Sequence, residues 1–82
     1  MTDQCRAILE YLDDYGSITP LEAMRDLGIM RLAARIHDLA STYGVVFERE
    51  TVYDWNRNGD KIHYTRYRRA MTEDGRPIYQ TV

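Results

Sequence analysis

Apolar residues recur every three or four positions through the first half of the chain. After residue 44 they give way to stretches dense in Val, Tyr, Phe, Thr and Ile. The first pattern predicts helices and the second predicts strands. Cys5, Ile8, Leu9 and Leu12, with Arg6, Glu10 and Asp13 between them, place an amphipathic helix over residues 3–14. Tyr15-Gly16 ends it, because glycine tolerates the left-handed backbone of a helix C-terminus. Ser17-Ile18 reads as a very short extended segment. Thr19 then caps a second helix, with Pro20 at its first position and Glu22 three residues after the cap. This is a capping box with proline where no N–H is needed. Leu21, Ala23, Met24 and Leu27 are expected to form its buried stripe, and Gly28 to end it. Ile29, Leu32, Ala33, Ile36, Leu39 and Ala40 predict a third helix over about 29–42, stopping at Tyr43-Gly44.

Asn58-Gly59 lies between two β-rich runs, the strongest short hairpin signal. Strands are expected at about 45–54 and 61–69. If Asn58-Gly59 is a two-residue turn, Trp55 faces Ile62, Tyr53 faces Tyr64, Glu48 faces Arg69, and Arg57 faces Asp60. A slip of one residue exchanges the faces, and the sequence leaves that register open. Phe47 is the strand residue expected to lock onto the helical core. The tail, residues 70–82, contains Asp74-Gly75 and a β-prone end, suited to an extra edge strand or a loose extension.

Eighty-two residues with 44% hydrophobic and 29% charged positions describe one globular domain. No run approaches a membrane span, and the N-terminus lacks the blocks of a signal peptide, so the expected location is cytoplasmic. Cys5 is the single cysteine, which excludes an internal disulfide; on the apolar stripe of the first helix it is expected to be a buried thiol. His37 and His63 are the only histidines, and no metal-ligand spacing, glycine-rich phosphate loop or nucleophile–base constellation is present. An enzyme, a metal and a cofactor are therefore not expected.

The net charge of −2 hides an asymmetry. Residues 1–28 set two arginines against six carboxylates, whereas residues 29–69 set eight Lys or Arg against five Asp or Glu. The positive part spans the third helix and the hairpin, the side suited to a phosphate backbone. Two short helices joined by a glycine turn form a helix-turn-helix unit, whose second helix can enter a DNA major groove. Its outward face is expected to carry Met30, Arg31, Ala34, Arg35 and Asp38. Arg31 and Arg35 suit phosphates or guanine edges, although Arg35 is also placed to pair locally with Asp38. Asn56, Arg57, Asn58 and Lys61 gather at the hairpin tip, where a wing lies beside DNA. Arg66, Arg68 and Arg69 have Glu48 and Glu50 as cross-strand partners. Trp55 and the seven tyrosines suit packing, or stacking on unpaired bases; exposure of Trp55 and Tyr53 would point to a protein interface.

The chain also resembles the small helix-turn-helix proteins common in phages and prophages. The residues that carry the resemblance are Ile8-Leu9-Glu10-Tyr11-Leu12, Gly16 to Ala23, Leu27-Gly28-Ile29, Arg31 to Ile36, Asp38-Leu39, Gly59 and Tyr67-Arg68. They span roughly residues 5–69. The resemblance implies an α+β winged helix-turn-helix, three helices followed by a β-hairpin wing, with residues 1–69 as the domain. It also implies binding to double-stranded DNA, as a phage or prophage transcriptional regulator. The alternative is a protein-binding module, such as a phage-encoded, anti-CRISPR-like inhibitor of a host nuclease or defence complex. A monomer and a homodimer are both compatible, since no dimerisation helix is visible.

Overall fold

The computed structural model describes residues 1–81. In chain order it has α1 (Asp3–Tyr15), α2 (Pro20–Leu27), α3 (Leu32–Tyr43) and the strands β1 (Phe47–Trp55) and β2 (Lys61–Arg69), which pair antiparallel as a long hairpin. Three helices followed by a hairpin is the α+β architecture that the sequence predicts.

Local chemistry sets the helix limits. The Thr2 hydroxyl accepts from the Cys5 N–H and opens α1. At α2 the capping box is complete: the Thr19 hydroxyl accepts from the Glu22 N–H, and the Glu22 carboxylate accepts from the Thr19 N–H. Gly16, Gly28 and Gly44, all at positive φ, follow the three helices. The core joins Cys5, Ile8 and Leu12 of α1 to Ala23 of α2 and to Leu32, Ile36 and Leu39 of α3. Phe47 and Tyr67, edge to face at 6.5 Å, close it from the hairpin.

Three expectations require correction. First, α3 begins at Leu32, not near Ile29. The Ile29 N–H bonds back to the Ala23 carbonyl, and its side chain is buried as a plug between the helices. Met30 and Arg31 therefore belong to the turn. Second, Leu21 and Met24 are exposed. Helix α2 has only two turns, and its buried side runs through Ala23 and Leu27, so Leu21 lies on the far side. Ala33 is likewise exposed, one step around α3 from the buried Leu32–Ile36–Leu39 row.

Third, the hairpin is shifted by one residue from the register of a two-residue turn. Trp55 pairs with Lys61, Tyr53 with His63, Arg49 with Tyr67 and Phe47 with Arg69. The loop is longer because the Asn56 carbonyl accepts from the Gly59 N–H, while the Asn56 N–H donates to the Asp60 carbonyl. Arg57-Asn58 thus form a type I turn and Gly59, at φ +81°, the bulge that follows it.

Ile18 exchanges both backbone hydrogen bonds with Tyr67, each 2.9 Å, adding a single-residue third strand beside β2. This contact pins the hairpin to the entry of α2. Beyond it, nine-residue strands carry the hairpin outward, and the molecule extends 44 Å along its longest axis. After β2 the chain turns at residues 72–76 and returns, with bridges from Met71 to Pro77 and from Val45 to Tyr79. The Ile78 N–H donates to Ala70 and its carbonyl accepts from Val46, so the returning segment enters where the two strands part.

Candidate nucleic-acid interface

Three surfaces carry the expected site residues. The first is the turn before α3. Met30 projects into solvent, 75% exposed, and Arg31 is exposed beside it at the helix entry. The second is the outer side of α3. Here Ala34 and Arg35 are half-buried. The Arg35 Nε lies 3.0 Å from the Asp38 carboxylate without an aligned hydrogen bond, so the local pairing holds the cation against its own helix. Ala33, His37 and Ser41 form the exposed row instead, at intervals of four, with the Ser41 hydroxyl donating to the His37 carbonyl. His37 carries no apolar-stripe signal, and its outward position follows only once the buried row is fixed.

The third surface is the wing. At its apex Arg57 and Asn58 are exposed. Asn56 serves the turn: its side-chain oxygen accepts from the N–H groups of Asn58 and Asp60, both at 2.9 Å. Lys61 begins β2, with its ammonium 5.0 Å from the Tyr53 ring centroid.

Register and pleat then sort the charges of the wing. The even-numbered face holds Glu48, Glu50 and Asp54 together with Arg66 and Arg68. Both arginines reach one Glu50 oxygen, at 3.4 and 3.2 Å, and share its single negative charge. The odd-numbered face holds Arg49, Lys61 and Arg69 with no carboxylate at all. At its base Phe47 and Tyr67 cover the helices; farther out Arg49, Tyr53, Trp55, Lys61 and His63 are exposed. Arg49 stacks over the Tyr67 ring at 5.6 Å. The inherent signal was legible, since every acidic residue of β1 stands at an even position. Arg69 does not join the Glu48–Glu50 side: it is buried and stacks on Tyr79 at 5.3 Å.

Opposite this acid-free face, Leu21 and Pro20 of α2 meet Asp54, Ile62 and Tyr64 of the wing around an apolar groove of about 290 Å³. Among the described residues, no group of three potential metal ligands occurs, and no helix is long and apolar enough to cross a membrane.

A helical pair joined by a glycine turn, with a hairpin projecting beside it, defines a winged helix-turn-helix. Residues 3–71 match the winged helix-turn-helix domain family, and the chain belongs to it. That membership suggests a DNA-binding module. No curated protein and no solved structure matches the chain.

Proposed function

We propose that the protein binds duplex DNA, with the turn before α3 and the outer row of that helix against the major groove and the wing along the neighbouring backbone. The observation that carries this reading is the distribution of unpaired cations. Glu50 is taken up by Arg66 and Arg68, and Asp38 by Arg35. Besides Arg6 of α1, the exposed Lys and Arg side chains that pair with no carboxylate among the described residues are Arg31, Arg49, Arg57 and Lys61. They lie on the turn and the wing, the two parts of this fold that flank a groove. The resemblance to phage and prophage proteins supports a role as a cytoplasmic transcriptional regulator in that setting.

Titration of labelled duplex at several salt concentrations tests the reading. Affinity should fall as salt rises, with a log–log slope of about 0.9 for each phosphate neutralised. A folded sample that binds no duplex at low salt overturns it. The groove between Leu21 and Ile62 favours a second reading, a protein-binding module that inserts a partner's apolar side chain there. Leu21→Asp would then abolish a protein complex and leave duplex affinity unchanged.

A further inference from the structure

The outer part of the wing's odd-numbered face holds two large rings that the core does not bury. Tyr53 is 64% exposed and Trp55 is 67% exposed. Neither belongs to the core cluster, although an aromatic side chain is among the largest apolar surfaces a small domain can bury. Both rise from the same face of β1, two residues apart. Two strand residues advance about 6.8 Å, twice the roughly 3.4 Å rise of stacked bases. At the backbone the two residues are thus close enough for one nucleotide to reach either ring.

The neighbours decide what such rings would meet. Cross-strand from them are Lys61 and His63, with the His63 ring 6.1 Å from that of Tyr53. Nearer the base stand Thr51 and Thr65, then Arg49. This face contains no carboxylate and, between Phe47 and the tip, no aliphatic side chain. Their exposure taken alone points to a protein interface, but such a patch would be expected to have aliphatic neighbours, and those lie on the opposite face with Val52 and Ile62. Rings set among cations and hydroxyls fit a polyanion whose subunits have π-faces.

We propose that the odd-numbered face of the wing, built on Tyr53 and Trp55 and flanked by Lys61, His63 and Arg49, is a stacking platform for the unpaired bases of single-stranded nucleic acid. The platform does not depend on the duplex reading, because paired bases keep their faces inside the helix and present only edges and phosphates. It gives the wing a second ligand, suited to a melted or single-stranded segment.

Trp55 is the sole tryptophan, so its fluorescence reports on the platform alone. The experiment titrates the full chain at low salt with oligo-dT, with oligo-U and with a duplex of equal length. The expected result is stronger quenching of Trp55 by one or both single strands than by duplex, whose backbone can meet Lys61 and Arg49 on the same face but offers no free base faces to the rings. Tyr53→Ala should weaken single-strand binding about tenfold, and Trp55→Ala likewise when labelled oligonucleotide is followed. Thr51→Glu, which places a carboxylate on the same exposed face, should also weaken it, and serves where a ring substitution disturbs the hairpin. Failure of both single strands to quench, equal quenching by duplex, or undiminished affinity in folded Tyr53→Ala overturns the proposal. A Trp55 signal that follows protein concentration without oligonucleotide marks a surface for a second copy, and overturns it as well. Loss of duplex binding alone bears on the preceding reading and leaves this one standing.

Discussion

The Tyr11 hydroxyl donates a 2.7 Å hydrogen bond to the Asp26 carboxylate, tying the buried face of α1 to the last turn of α2. Arg25 holds the other side of the same carboxylate at 2.9 Å. Hydrogen bonds from Arg25 and then from Tyr11 lower the Asp26 pKa to about 2. The bond to Asp26, followed by burial, raises the Tyr11 pKa to about 12.

Stability should therefore depend on pH at both extremes. Asp26 binds its proton less tightly when folded, so its contribution is present above its usual carboxylate range and is lost as pH falls through about 2. Tyr11 holds its proton more tightly when folded, so its contribution is complete below about pH 10 and is lost as pH rises through about 12. Tyr11→Phe should cost about 1 kcal/mol at neutral pH and remove the alkaline loss. Urea melts of both proteins across pH check this. Identical alkaline profiles would show that Tyr11 does not titrate as described.

Ile36→Ala should cost about 2–5 kcal/mol. Ile36 is fully enclosed between Leu32 and Leu39 at the centre of the helical core. In a domain this size such a loss approaches the whole stability, so a chemical melt with an early midpoint, or an unfolded chain, is the expected outcome. Ala33→Ser, on the exposed row of the same helix, should change stability by less than about 0.5 kcal/mol.

The helices were legible in the sequence because their signals are local. Thr19, Pro20, Glu22 and Gly28 fix the limits of α2 within ten residues, and the Leu32–Ile36–Leu39 row states which side of α3 is buried. What failed was tertiary. Leu21 is as apolar as Leu27, and only the placement of the wing decides that Leu21 borders a groove while Leu27 packs on the core. The hairpin register failed for a different reason. Asn-Gly suits both a two-residue turn and the end of a type I turn with a bulge, and the choice lies with Asn56, whose side chain satisfies two N–H groups of the longer loop. The candidate site inherited that ambiguity: Arg66 and Arg68 pair with Glu50 only in the register observed.

Gly59→Ala should accordingly loosen the wing without unfolding the domain. Gly59 has φ +81° and open space around the position of a Cβ, so the cost is backbone strain of about 1–2 kcal/mol rather than a clash. The wing projects beyond the core, and its fraying is a local opening. Amide exchange should accelerate along residues 50–64 while α1 and α3 keep their protection. Gly59→Asn, which tolerates the left-handed region better, should fall between the two. Uniform acceleration across the helices would show that wing and core unfold together.

Arg31 and Arg35 offer the sharpest test of how the α3 region meets DNA. They are four residues apart, yet Arg31 stands free in the turn while Arg35 is held by Asp38. Arg31→Ala should cost about 1–3 kcal/mol of duplex affinity and lower the salt slope by about one. Asp38→Asn should do the opposite: it removes a charge that repels phosphate and releases the Arg35 guanidinium, so affinity and slope both rise. Arg35→Ala should weaken binding, largely because it leaves the Asp38 carboxylate unopposed near the backbone. The double substitution Arg35→Ala, Asp38→Ala restores the local charge and should recover most of that loss, whereas a direct phosphate contact from Arg35 would leave the double variant as weak as the single one. Duplex titrations on the four proteins at two salt concentrations separate these outcomes. Equal losses for Arg31→Ala and the double variant would mean that the pairing seen in the free protein is broken on DNA.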